Sequence, residues 1–250
     1  MLKTIFRPLL PLLHKLTGRF AYVQDGLVTV HNHEFMQDAA FQAAYRRGLQ
    51  ASGKDYYWHW RVYVGLWAAS VCAALDGDYV ECGVNYGFMS SAIMYHLDWD
   101  RTGKMFYLLD TFKGLDSRFV SNEEKQIGAL NTSQQRLKAS FYVSGVDAVR
   151  RNFSEWQHVR IIEGAIPETL EQIESKQIAF AHIDMNNSPP EVAAAEFIWP
   201  RLVRGGMILL DDYAFYGYRL QKLGIDEFAR RAGTSVLSLP TGQGLIIKAS

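Results

Sequence analysis

The sequence predicts an α/β protein with a mostly parallel sheet of seven strands, and three observations lead there. From residue 78 onward, short runs rich in β-branched and aromatic residues alternate with stretches of helical spacing, as successive βαβ units do. Near the C-terminus two more short runs are joined by Pro240-Thr241-Gly242-Gln243-Gly244, a Gly-containing link that reads as a closing antiparallel hairpin. The chain has 250 residues and is 48% hydrophobic, enough for one large domain with a buried core.

The elements follow in order. Residues 1–75 read as a helical lead-in or cap, with helices expected at 38–50 and 58–75, and residues 76–250 as the sheet domain. Five parallel strands are expected at 79–82, 105–109, 159–162, 178–183 and 207–210, and the hairpin strands at 236–239 and 245–248. Helices are expected between them at about 86–97, 133–152, 167–175, 189–202 and 219–232. Residues 1–16 carry apolar side chains at 2, 5, 6, 9, 13 and 16 beside Lys3, Arg7, Lys15 and Arg19, but Pro8 and Pro11 interrupt the pattern. The apolar run 8–13 is far short of the ~20 residues that a membrane span needs. A packed helix is the plainer reading of residues 1–19, and peripheral contact with the inner membrane face the alternative.

Lys+Arg and Asp+Glu number 26 each, so no global field favours a nucleic-acid partner. Cys72 and Cys82 are too few for a disulfide framework and lack metal-ligand spacing, which fits small buried residues in a reducing cytoplasm.

The chemistry is concentrated at the carboxyl ends of the expected strands, where open α/β sheets bind ligands. The first strand runs into Glu81-Cys82-Gly83-Val84-Asn85-Tyr86-Gly87. Asn85 stands where a dinucleotide fingerprint needs the glycine that admits a pyrophosphate, so an NAD-dependent oxidoreductase is disfavoured. An acid-x-Gly-x-x-x-Gly turn suits a nucleoside without phosphates, such as S-adenosylmethionine, with Glu81, Gly83 and Gly87 shaping its methionine end, although a plain tight strand-to-helix turn is the competing reading. Asp110, at the end of the second strand, is placed to accept ribose hydroxyls, although an N-cap role is the competing reading. Gly164 and Ala165, after the third strand, leave room for an adenine. Asp184, Asp211 and Asp212 follow two later strands, and three carboxylates converging over one crevice suit a hard cation such as Mg²⁺. Loop or capping roles are the plainer alternative for these aspartates. His182 shares a strand face with Asp184 and reads as a buried histidine or a proton acceptor. In the lead-in, His31 and His33 read as surface residues, and Trp58-His59-Trp60-Arg61 as a string that packs on the sheet or stacks on a sugar.

Residues 78–248 resemble the macrocin, mycinamicin and novobiocin type of O-methyltransferase. The resemblance rests on Gly77-Asp78-Tyr79-Val80-Glu81-Cys82-Gly83-Val84, on Leu109-Asp110-Thr111-Phe112-Lys113-Gly114-Leu115, and on Val149-Arg150-Arg151-Asn152-Phe153. Glu163-Gly164 with Thr169-Leu170, His182-Ile183-Asp184, Arg201-Leu202 with Gly205-Gly206, and Asp211-Asp212-Tyr213 with Gly217 complete the set. It implies a class I methyltransferase (Rossmann-like) fold with a seven-stranded mixed sheet, S-adenosyl-L-methionine, a Mg²⁺ site from Asp184, Asp211 and Asp212, and methylation of a hydroxyl on a sugar, glycan or glycosylated natural product. A homodimer would be ordinary for such a fold. The chain departs from the family at Asn186, where the family often places the aspartate that deprotonates the acceptor. Asparagine takes no proton at neutral pH, so His182 or a metal-bound acceptor oxygen becomes the substitute and Asn186 an orienting group. If Asn186 marks lost catalysis, the chain would instead be a cofactor-binding or partner-binding module.

Overall fold

The computed structural model describes residues 22–249; the basic N-terminal segment 1–19, expected as a helix or membrane anchor, lies outside the described residues. Seven strands form one sheet in the order β5-β4-β3-β6-β7-β9-β8. They are β3 (Asp78–Cys82), β4 (Phe106–Asp110), β5 (Val159–Glu163), β6 (Ile178–Ile183), β7 (Leu202–Leu210), β8 (Leu237–Ser238) and β9 (Gly244–Ile247). The strands from β3 to β7 pair in parallel, and β9 runs antiparallel between β7 and β8. Each parallel strand lies within a few residues of its expected position, because runs buried on both faces are nearly continuously apolar.

The central strand β3 pairs with β4 on one side and β6 on the other, so the strand order reverses there and leaves a crevice at the carboxyl edge. The register Cys82↔Leu109, Cys82↔Ile183 and Ile183↔Leu210 sets the residues that follow, Gly83, Asp110, Asp184 and Asp211, side by side.

The helices in chain order are α1 (Ala39–Ser52), α2 (His59–Cys72), α3 (Phe88–His96), α4 (Asn122–Gln126), α5 (Ala129–Lys138), α6 (Asp147–Asn152), α7 (Ser188–Ile198) and α8 (Arg219–Arg231). Asp38 starts α1 by accepting from the Phe41 amide at 2.8 Å, and Gly53 stops it at φ 64°. The lead-in helices belong to the main core. Val62, Leu66 and Ala69 pack with Tyr79, Phe180 and Leu209 on one face of the sheet, while Ala194, Ile198, Ile225 and Phe228 cover the other. Cys72 and Cys82 are buried and free, as expected.

Four features differ from the sequence reading. The lead-in contains a hairpin, β1 (Tyr22–Gln24) and β2 (Leu27–Thr29), turned by Asp25 and Gly26 at φ 51° and 77°, the positive values that a two-residue hairpin loop takes. The single helix expected at 133–152 is two, α5 and α6, because the chain turns out through Ser140 (φ 51°) and Gly145 (φ 93°). The helix expected at 167–175 is reduced to one turn, Leu170–Gln172. The capping box of Ser121 and Glu124 starts α4, which the sequence reading does not include. Among the described residues, no helix is long and apolar enough to cross a membrane.

Candidate active site

The carboxyl edge of the sheet opens into a cavity of about 380 Å³. Gly83, Asp110, Gly164, Ala165, Asp184, Asn186, Asp211 and Asp212 all line it. The sequence reading therefore places eight of its site residues on one surface.

One wall is made by turns that follow the strands. A Cβ at Gly83, which has φ +88°, would lie 1.8 Å from the Asp184 carbonyl oxygen, so only glycine lets the ends of β3 and β6 approach so closely. Asp110 accepts from the Asn85 amide (2.7 Å) and the Phe112 amide (2.7 Å), each through a different oxygen. Burial raises its pKa, and these amide hydrogen bonds oppose the rise. The capping and ribose readings are thus compatible, since each carboxylate oxygen keeps acceptor capacity toward the cavity. Leu109, Ile166 and Met185 supply apolar surface alongside. A bare glycine cradle, a carboxylate acceptor and apolar flanks together fit a nucleoside.

Two expected cofactor residues sit elsewhere, as does the expected base. Gly87 is outside the cavity and packs against Phe153, whose ring a Cβ would meet at 2.5 Å. Glu81 and His182 line a side chamber of about 40 Å³ behind the main cavity. His182 Nδ1 lies 2.8 Å from Glu81 Oε1, while Nε2 is 3.6 Å from Asp211 Oδ1, too long for a hydrogen bond. Burial works against charge on His182, but the flanking carboxylates of Asp211 and Glu81 outweigh it and push the imidazole up to about 10. A rise of this kind favours the imidazolium, which has no acceptor nitrogen, and so tells against His182 as the proton acceptor.

The opposite wall is built from side chains. Arg61, at the start of α2, is buried against the acids: Nε donates to Asp25 Oδ2 at 2.7 Å, and Nη1 donates to Asp211 Oδ2 and to Asp212 Oδ1 (3.3 Å). Gln243 Nε2 holds the other Asp211 oxygen at 3.0 Å. Burial raises Asp211, but Arg61, His182 and Gln243 together more than reverse this and leave its carboxyl well below the usual range. Asp212 is pushed up to about 6 by burial and by Asp211, and Asp184 is raised by burial and both neighbouring aspartates.

The Mg²⁺ expectation fits this arrangement poorly. The three carboxylates do converge, yet Arg61 already takes the Asp211 and Asp212 oxygens that would face a cation, and no group of three His, Cys, Asp or Glu among the described residues is arranged to hold a metal ion. The sequence reading named Arg61 only as part of an aromatic string, because nothing local ties position 61 to position 211.

Asn186 adopts φ 60°, and both ends of its amide are hydrogen-bonded. Its Nδ2 donates to Asp184 Oδ1 at 3.0 Å, and its Oδ1 accepts from Arg136 Nη1 (2.7 Å) and the Tyr218 hydroxyl (2.6 Å). Arg136 also donates to the Tyr142 hydroxyl at 2.7 Å and, through Nη2, to the Tyr218 hydroxyl at 2.9 Å. Tyr56, Tyr57, Trp58, Phe141 and Phe215 complete an aromatic wall. Sequence reading did not reach Arg136 and Tyr142, which lie in segments without a motif, or Phe215 and Tyr218, which flank Gly217 without being part of its motif.

Fold and cavity define a doubly wound α/β protein whose carboxyl-edge cavity has one wall of glycines and carboxylates and another of aromatic side chains. A family model described as a methyltransferase domain matches residues 80–213, and the chain belongs to that family. It is 28% identical over 152 residues to the 8-demethyl-8-(2,3-dimethoxy-alpha-L-rhamnosyl)-tetracenomycin-C 4'-O-methyltransferase of Streptomyces olivaceus, a match covering 56% of this chain and 54%, about half, of that relative. It is 24% identical over 211 residues to the mycinamicin III 3''-O-methyltransferase of Micromonospora griseorubida, covering 78% of this chain and 80% of the relative. The solved structure of the O-methyltransferase NovP has the same fold, with a TM-score of 0.64 at 18% identity over 76% of this chain and 80% of its own. The resemblance drawn from the motifs therefore holds.

Proposed function

We propose that this chain is an S-adenosylmethionine-dependent O-methyltransferase whose acceptor is a hydroxyl of a sugar, glycan or glycosylated natural product. The observation that carries the reading is the single cavity with two unlike walls, a glycine and carboxylate cradle beside an aromatic, hydrogen-bonding pocket. The sugar-bearing compounds named for the two curated relatives support the acceptor class.

When bound, S-adenosylmethionine supplies an electrophilic methyl group. The backbone at Gly83, Gly164 and Ala165 makes room for it, and Asp110 accepts from its ribose. Aromatic faces such as Trp58, Phe141 and Phe215 stack on a sugar ring and exclude water. Asn186, locked by Arg136, Tyr218 and Asp184, orients the acceptor. Asp212, a carboxylate that lines the cavity, takes the hydroxyl proton; a carboxyl near 6 is well matched to that role at neutral pH. Aligning the two partners is the larger contribution, worth ~7 to 11 kcal/mol at best.

Titration calorimetry with S-adenosylmethionine tests the reading. Binding near micromolar, about −8 kcal/mol, is expected for the native chain. Asp110→Ala should weaken it about 10- to 100-fold, since it removes charged hydrogen bonds worth about 1.5–3 kcal/mol. No binding by the native chain would sink the assignment.

A further inference from the structure

Arg136 is the unusual cation of this molecule. The other two arginines set into the core are neutralised by acids: Arg47 donates to Glu155 at 2.9 Å, and Arg61 to Asp25, Asp211 and Asp212. Arg136 lies half-buried in the cavity wall, and its hydrogen-bond acceptors among the described residues are neutral: the Tyr142 and Tyr218 hydroxyls and the Asn186 amide oxygen. Asp212, whose titration responds to it, is hydrogen-bonded to Arg61 and forms no ion pair with Arg136. Setting a guanidinium into a wall of rings without a direct ion pair costs free energy that an anion from outside offsets. Of its five N–H groups, three are committed, and the planar fork is suited to carboxylate or phosphate oxygens. The Tyr142 hydroxyl accepts from Arg136 and keeps its own proton as a further donor, while the Tyr218 proton is given to Asn186.

We propose that Arg136, held in place by Tyr218 and Asn186, and the Tyr142 hydroxyl form a subsite for an anionic oxygen group, a carboxylate or a phosphate, carried by the acceptor. The acceptor is then an acidic or phosphorylated sugar rather than a neutral one. Asn186 links this subsite to Asp184, so seating the anion also places the hydroxyl beside the carboxylates. The inference rests on the methyltransferase reading and narrows its substrate class.

The test compares D-glucose, D-glucuronate and glucose 6-phosphate by calorimetric titration into native protein saturated with S-adenosylhomocysteine. One or both anionic sugars should bind at least about tenfold tighter than glucose, and which one does so distinguishes carboxylate from phosphate. Arg136→Met should abolish the preference and leave S-adenosylmethionine affinity within about twofold, whereas Arg136→Lys should keep part of it because charge survives without the fork. Equal or absent binding of all three sugars to the native chain overturns the proposal, as does a preference that survives Arg136→Met. The native arm stands even if a variant fails to fold. If S-adenosylhomocysteine does not bind, the sugars are titrated without it: an anion preference lost in Arg136→Met upholds the subsite while the methyltransferase reading falls, and its absence overturns both.

Discussion

Along one wall of the cavity, Asp110 is the last residue of a parallel strand, and Gly83, Gly164 and Ala165 come directly behind the ends of two others. Along the other, Arg61, Arg136, Phe215 and Tyr218 arrive from helices and loops, with Arg61 and Asp211 separated by 150 positions. The first wall is backbone held by the sheet, and its chemistry is common to any nucleoside placed there. The second is side chain held by ion pairs and hydrogen bonds, and it decides what the cofactor meets. Changes in the first wall should therefore damage folding or cofactor binding, and changes in the second should alter charge balance and acceptor choice.

The largest effect is expected at Gly83. An alanine there places its Cβ 1.8 Å from the Asp184 carbonyl oxygen at φ +88°, so β3 and β6 must separate. Urea denaturation should show a loss of about 3–5 kcal/mol, or no folded protein. A Gly83→Ala variant of near-native stability would mean that the sheet edge is loose and that the first wall is not rigid.

Arg61→Met tests the second wall at comparable size. Removing the guanidinium leaves Asp211 and Asp212 buried without their partner, which should cost about 3–5 kcal/mol at pH 7. Because Asp212 titrates near 6, the penalty should shrink at pH 5, where that acid takes up a proton. A penalty independent of pH would assign Arg61 a packing role.

These two sites also show why the walls differ in legibility. Gly83 and Asp110 were found because the residues around them form a short contiguous string and each ends a strand with a clear apolar run. The order of the five parallel strands and the closing hairpin were legible for the same reason, since burial on both faces leaves little ambiguity. Arg61 and Arg136 carry no such signal: an arginine on a helix is normally solvated, and only the assembled fold shows which acid or hydroxyl it meets. His182 shows the converse. Its place two residues before Asp184 was read correctly, but its protonation is set by Glu81, 101 positions away, and by Asp211. The split of the expected helix 133–152 matters most, because the loop between α5 and α6 carries Phe141 and Tyr142 into the cavity wall.

His182 gives an effect of intermediate size that separates charge from packing. Its folded pKa, about 10, lies above the ordinary value of 6.5. The stabilisation is therefore fully present below about 6.5 and is lost as pH rises toward 10. Thermal unfolding followed from pH 7 to pH 10 should show a falling midpoint in native protein and a flatter profile in His182→Gln, whose lower starting stability reflects the unneutralised Glu81. A native profile as flat as that of the variant would mean that the imidazole is neutral, restoring it as a candidate base.

The smallest expected effect is that of magnesium. A divalent ion gains by meeting free carboxylate oxygens, but here Arg61 Nη1 holds Asp211 Oδ2 and Asp212 Oδ1, Gln243 holds Asp211 Oδ1, and Asn186 holds Asp184 Oδ1. Binding the ion requires breaking charge-assisted hydrogen bonds in a buried setting before any new ligand bond forms. Magnesium chloride titrated into the S-adenosylmethionine complex should release no heat beyond dilution and leave thermal stability unchanged. Arg61→Met, where it folds, exposes the same acids and should become responsive to the ion. Tight magnesium binding by the native chain would show that Arg61 swings aside, making the second wall rearrangeable and sharpening its contrast with the first.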